Sequence, residues 1–160
     1  MRNRKSRDEF AEDVRQASEK IVSSASEFQK AMDAAFAKMA EDAKRVIIEI
    51  LIEEFAQLQA STPVDTGRAQ AGWLISSEGE AVSFSPKKNE ETDSYEPQDA
   101  SKIEGSLMKT DVVYVINNVE YVLYLEAGWS KLQPGGFIAT FLANCKRKIE
   151  EACAAMSRAR

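Results

Sequence analysis

The fold is decided by one stretch of the chain, Thr62-Pro63-Val64-Asp65-Thr66-Gly67-Arg68. No glycine or proline precedes Pro63, so nothing in the earlier sequence interrupts a helix. Pro63 lacks an N–H and restricts the residue before it, and a helix therefore ends here. Asp65 can cap the next turn, and Gly67 permits a positive φ or a close backbone approach. The stretch predicts an elbow between a long helix and the element that follows.

Two helices are predicted ahead of this elbow, over about residues 8–23 and 26–60. Apolar residues recur there at steps of three and four, which is the period of an amphipathic helix. Ser24 and Glu27 match a capping box, which marks a new helix start. One bent helix is the alternative. The near-heptad spacing fits either a coiled coil or a helix lying along its own domain's sheet.

Short strands and one charged segment are predicted after the elbow. Trp73–Ser76 and Ala81–Phe84 have strand composition, and Asp111–Ile116 is the clearest strand of the chain. Residues 86–104 are charged and poor in apolar side chains, which predicts a mobile loop. Ala100–Met108, at the end of that segment, is able to form a short helix.

A second motif begins at Asn117-Asn118, which stops the preceding strand because asparagine tolerates left-handed conformations. The spacing of Tyr121, Tyr124 and Leu125 favours a helical turn over a returning strand. From Phe137 onward the apolar residues trace an amphipathic C-terminal helix. The element order predicts an α+β fold, in which long N-terminal helices and the C-terminal helix pack on a small, mainly antiparallel sheet.

Charged and aromatic side chains in the two motifs are candidates for contacts. The planar guanidinium of Arg68 is suited to hold a carboxylate. Glu126 is the predicted carboxylate, paired with Arg68 or with Lys131. Trp129 is either an anchor at a protein interface or a core residue, and the sequence leaves both open.

Composition excludes several classes of protein. The chain has 160 residues and a net charge of −5, which argues against a dedicated nucleic-acid binder. It has no histidine, which excludes Ser-His-Asp triads, Cys-His dyads and the common zinc sites. Its apolar runs are too short for a membrane span. Cys145 and Cys153 are about 12 Å apart along one helix and are predicted to be reduced, buried thiols.

The two motifs together resemble the signature of the neck, or tail-completion, proteins of tailed bacteriophages, a family that includes minor tail protein Z. The resemblance spans roughly residues 45 to 145. A chain of 160 residues fits one domain, which we divide into a helical arm over residues 1–25 and a neck-protein core over residues 26–160. The residues that carry it are Pro63, Asp65, Thr66, Gly67, Arg68, Trp73, Asn117, Asn118, Tyr121, Tyr124, Glu126, Gly128, Trp129, Ser130, Lys131 and Pro134.

The resemblance implies a structural protein made in the bacterial cytoplasm and built into the virion at the head–tail junction. Copies of the chain would form a ring, hexameric by the resemblance, between the tail terminator and the head-closure or adaptor proteins. DNA would pass nearby without sequence-specific binding, and no catalysis, cofactor, metal or membrane would be involved. The alternative is a non-phage helical interaction module that acts through a coiled coil.

Overall fold

The fold was described from a computed structural model, which covers residues 6–36, 41–78 and 83–159. Its elements follow one another along the chain in the order helix, helix, elbow, short strands and terminal helix. They are α1 (Arg7–Phe36), α2 (Glu41–Ser61), α3 (Arg68–Ala71), β1 (Trp73–Ser76), β2 (Lys88–Asn89), β3 (Ser94–Tyr95), a 3-10 turn (Ala100–Ile103), α4 (Glu104–Leu107), β4 (Tyr114–Asn117), α5 (Val122–Glu126) and α6 (Phe137–Arg158). These elements confirm the predicted α+β class.

The first helix does not break where the sequence pattern predicted. α1 runs unbroken through Ser24 and Glu27, so the capping box proposed there is wrong. The reciprocal bonds of a capping box lie instead at Ser6 and Glu9: the Ser6 N–H donates to the Glu9 carboxylate at 2.7 Å, and the Glu9 N–H donates to the Ser6 hydroxyl at 3.2 Å. Glu27 forms an ion pair with Lys146 of α6 at 3.3 Å. Packing against α6 therefore stabilises the helical conformation of the serine-rich stretch.

The second helix ends at Ser61, in agreement with the helix end predicted from Pro63. The Thr62 hydroxyl donates to the Leu58 carbonyl at 2.7 Å and thereby satisfies one of the free carbonyls at the helix end. No division lies at residues 23–26. α1 is described as far as Phe36 and α2 from Glu41 onward, and residues 37–40 lie outside the described part of the chain.

Helices α2 and α6 form most of the core, and α1 lies along α6. Lys148 of α6 contacts Glu54, while Ser61 and Phe137 line the same cleft, so α2 and α6 run antiparallel. The apolar positions of α1 therefore face α6, and Phe28 and Met32 also line a small cavity together with Val115 of β4. The core residues without measurable exposure include Ile47, Ile48, Phe55, Ile75, Leu107 and Cys145. No helix in the described part of the chain is long and apolar enough to cross a membrane.

The sheet that packs on these helices has two strands. β1 pairs antiparallel with β4, with Trp73 opposite Asn117 and Ser76 opposite Tyr114. β4 begins three residues later than predicted and includes Asn117. The side-chain amide of Gln98 covers the far edge of β1: its oxygen accepts from the Ile75 N–H at 2.8 Å, and its nitrogen donates to the Ile75 carbonyl at 3.2 Å. A glutamine side chain thus takes the place of a third strand.

The predicted mobile loop at residues 86–104 contains regular structure. β2 and β3 form a short hairpin, and Gln98 ties the segment to β1. Ala100–Ile103 and Glu104–Leu107 form the short helix predicted over Ala100–Met108. The predicted strand Ala81–Phe84 lies partly outside the described residues, and Ser83 and Phe84 are not in a strand. Val122–Glu126 is helical, as favoured, and α6 begins at Phe137 as predicted.

Candidate functional site

The elbow after α2 is built by Pro63, Thr66 and Gly67. Pro63 is buried, and Gly67 has φ +86°, a left-handed conformation that favours glycine. The Thr66 hydroxyl accepts a 3.4 Å hydrogen bond from the Arg68 N–H. Asp65 is predicted to cap this turn, but its side chain is exposed, and the N-cap of α3 is Gly67, which receives no hydrogen bond from a capping side chain.

Asn117 and Asn118 of the second motif hydrogen-bond to backbone groups of other segments of the chain. The Asn117 amide donates to the Ala69 carbonyl at 2.9 Å and accepts from the Val119 N–H at 3.0 Å. Asn118 donates to the Phe84 carbonyl at 3.0 Å. A Cβ on Gly72 would lie 2.6 Å from the Val119 side chain and 2.7 Å from Asn117 Oδ1, so this position has room only for glycine. The two motifs are therefore in direct contact.

The charged pair that joins the motifs is Arg68 with Glu120, and the predicted pair of Arg68 with Glu126 is wrong. The two terminal guanidinium nitrogens, Nη1 and Nη2, each donate to one oxygen of the Glu120 carboxylate at 3.1 Å, in a bidentate arrangement. The guanidinium also lies 5.9 Å from the centre of the Tyr121 ring. A hydrogen bond from its own backbone N–H lowers the pKa of the Glu120 carboxyl most, and the hydrogen bond from Arg68 lowers it further. Two-thirds of the Glu120 side chain is exposed, so the pair lies at the surface.

Glu126 is buried and caps α6. Its carboxylate accepts hydrogen bonds from the backbone N–H groups of Ile138 at 2.8 Å and Ala139 at 3.1 Å. Its main-chain carbonyl accepts from the Gly136 N–H at 2.9 Å. Burial raises the pKa of the Glu126 carboxyl, and the N–H donors oppose that shift. Neither Arg68 nor Lys131 forms an ion pair with Glu126 among the described residues.

Glu126 closes the base of a loop, which we call the apical loop and define as Gly128–Pro134. Gly128 has φ +89°, and a Cβ on Gly135 would overlap the Glu126 carbonyl. The backbone N–H of Trp129 donates to the Tyr124 carbonyl at 3.1 Å. Inside the loop the Ser130 hydroxyl accepts from the backbone N–H groups of Leu132 and Gln133. These bonds hold the loop in one conformation.

Several large apolar side chains of this region face solvent. Trp129 is 47% exposed and Leu132 is 65% exposed. Trp129 is therefore not a core residue, whereas Trp73 is buried and its indole N–H donates to Thr62 at 2.8 Å. Phe10 of α1 lies against the rings of Tyr124 and Trp129. Sequence reasoning missed Leu132, because nothing local marks an apolar residue as exposed. It also missed the contact of Phe10 with the two rings, because that contact joins residues far apart in the sequence.

A cleft of about 360 Å³ lies between the elbow and the apical loop. It is lined by residues of both motifs, namely Pro63, Asp65, Thr66, Gly67, Arg68, Ala69, Tyr121, Leu125, Ser130 and Leu132. Lys131 and Pro134 are exposed and do not line it. Seven of the sixteen predicted site residues thus line one cleft, and they come from both motifs.

The polar side chains that line the cleft are Asp65, Thr66, Arg68, Tyr121 and Ser130. Asp65 and Thr66 have no activating base beside them among the residues that line the cleft. Within the described part of the chain, no group of three or more Cys, Asp or Glu side chains is placed to hold a metal ion. Both cysteines are free. Burial raises the pKa of the Cys145 thiol to about 12, so this thiol stays protonated and is not a nucleophile at neutral pH.

The chain matches no family model, no curated protein and no solved structure.

Proposed function

We propose that this protein is a structural subunit of the head–tail junction of a tailed bacteriophage, where copies form a ring around the DNA channel and join tail to head. The observation that carries the proposal is the convergence of the two motifs. Residues about fifty positions apart in sequence meet through the Asn117–Ala69 hydrogen bond and the Arg68–Glu120 pair. The motif resemblance is thus supported by a shared surface.

The composition of that surface supports a role in assembly. Of the eight large apolar residues exposed in the described part of the chain, five lie in the two motifs: Val64, Leu123, Tyr124, Trp129 and Leu132. Scattered exposed apolar residues are ordinary, but their concentration in two motifs that contact each other favours a protein interface. Aromatic anchors such as Trp129 provide large contact areas at low entropic cost.

The charge distribution supports the same role. The basic residues in the middle of α6 are neutralised within the chain, since Lys146 pairs with Glu27, Arg147 with Glu151, and Lys148 with Glu53 and Glu54. Such a helix offers little attraction for phosphates, which suits a duct through which DNA passes without being held. The coiled-coil alternative gains no support, because α1 packs along α6 of the same chain.

The test is complementation of the phage or prophage that encodes this chain. Deletion of the gene is expected to give filled heads and complete tails that remain separate in negative-stain electron micrographs. Purified wild-type protein added to that lysate should restore joined particles and plaque formation. Normal joined virions from the deletion strain would refute the proposal.

A further inference from the structure

The apical loop is a preformed projection. Its base is closed by the Glu126 side chain and carbonyl, and its interior is held by Ser130. The loop presents Leu132, which is 65% exposed, and Lys131, which has no ion pair among the described residues. A rigid loop that exposes an apolar side chain loses little entropy on binding, so it is well suited to insertion into a partner.

A second cleft, of about 320 Å³, lies on the side of the molecule where α2 and α6 pack together. Leu58, Phe137 and Phe141 form its apolar lining. A cavity of about 150 Å³ accepts a benzene ring, so this cleft has room for a leucine side chain. We call it the α2–α6 cleft.

The rim of the α2–α6 cleft carries excess negative charge. Lys148 lies 2.5 Å from the Glu54 carboxylate and 3.3 Å from that of Glu53, so two carboxylates share one ammonium group. Glu53 remains 65% exposed. An unpaired lysine on the apical loop and an undercompensated glutamate on this rim are complementary in charge.

We propose that the apical loop of one copy of this chain docks into the α2–α6 cleft of the next copy, with Leu132 in the apolar lining and Lys131 beside Glu53. The contact joins different chains, because Leu132 lines the elbow cleft of its own chain and not the α2–α6 cleft. Two different surfaces meet, so the contact is heterologous and propagates into a closed ring when the rotation between copies closes. The inference rests on the proposed ring subunit and names its interface.

The first experiment measures self-association by sedimentation velocity and native mass spectrometry. We expect Leu132→Asp to weaken association by at least about thirtyfold, because a docked apolar anchor dominates interface energy. Val22→Asp is the matched control, since Val22 is an exposed apolar residue (68%) on α1, and it should assemble as the wild type does. Circular dichroism and thermal melting establish that both variants fold. Wild-type assembly by folded Leu132→Asp overturns the proposal.

A charge swap tests the register of the contact. Lys131→Glu and Glu53→Lys should each weaken association by about twofold to fivefold, as expected for exposed ion pairs, and the double variant should recover it. Both side chains are exposed, so folding is not at risk. Additive losses in the double variant would overturn the pairing of Lys131 with Glu53.

Mixing two inactive variants tests whether the contact is heterologous. Leu132→Asp keeps an intact cleft, and Gln57→Trp, at the exposed rim, would obstruct the cleft while leaving the loop intact. An equimolar mixture should give dimers but no larger ring, because each pair has one working interface. Failure to form dimers would overturn the head-to-tail arrangement.

The docking and the proposed function can fail separately. If the wild-type protein joins heads to tails but is monomeric in solution, the docking is refuted and the proposed function stands. If the deletion strain gives normal joined virions, the proposed function is refuted.

Discussion

The indole N–H of Trp73 donates a 2.8 Å hydrogen bond to the hydroxyl of Thr62, and both side chains are buried. The same hydroxyl donates to the Leu58 carbonyl at the end of α2. One threonine therefore fixes the end of the helix and the start of β1 together, so that the elbow between them has a single geometry.

Replacing this hydroxyl should destabilise the fold. Thr62→Val leaves the buried Trp73 N–H without its acceptor, and we expect a loss of about 1–3 kcal/mol in the free energy of unfolding. Thr62→Ser keeps the hydroxyl and is the control. Urea denaturation followed by tryptophan fluorescence measures both. Equal stability of the two variants would mean that the hydrogen bond contributes little.

The surface pair Arg68–Glu120 should couple the motifs weakly but specifically. In a double-mutant cycle, alanine substitutions at these two positions are expected to be less than additive in melting temperature. The coupling should fall as salt is added, because both groups are exposed. The matched cycle of Arg68 with Glu126 should be additive. Coupling in the second cycle and not in the first would contradict the observed pairing.

Glu126 should give a pH-dependent contribution to stability. Burial raises its folded-state pKa, so its contribution is fully present below the unfolded value of about 4.3 and is lost as pH rises through the folded pKa. The unfolding free energy of wild type relative to Glu126→Gln should therefore be highest at acid pH and decrease toward neutrality. Urea titrations of both proteins at several pH values measure the difference. A difference that grows toward neutral pH would show a lowered pKa instead.

The Cys145 thiol should be protected and should destabilise the fold at alkaline pH. Its pKa is raised to about 12, so its contribution is present below about 8.5 and is lost as pH rises toward 12. The loss should approach roughly 1.4 kcal/mol per pH unit in that window. The wild type should become less stable relative to Cys145→Ala as pH rises above 8.5. Rapid reaction of Cys145 with a thiol reagent in the native protein would contradict this.

The hairpin at residues 88–95 should be the first site of proteolysis among the described residues. A two-stranded ribbon is marginally stable by itself, and its turn residues are exposed. Trypsin is expected to cut after Lys87 or Lys88 before it cuts after Lys102, since Gln98 and the buried Ala100 anchor the segment before Lys102. Mass spectrometry of early fragments identifies the cuts. Initial cleavage at Lys102 would show that this anchor is weak.

The local sequence determined the features that depend on neighbouring residues. Pro63 ends α2 because its ring and missing N–H act within one turn, and Gly67 takes the positive φ that its lack of a side chain permits. The apolar period from Phe137 predicted α6, because a helix of that period buries one face.

The tertiary structure decided which distant groups meet. Two glutamates of similar local context, Glu120 and Glu126, were available to Arg68, and only the orientation of α5 turns Glu126 inward to cap α6 and leaves Glu120 outside. In the same way, Gln98 hydrogen-bonds to the edge of β1 at Ile75, which lies 23 residues earlier in the sequence. Propensity and periodicity act over a few residues, whereas the partner of a side chain depends on packing between elements far apart in the chain.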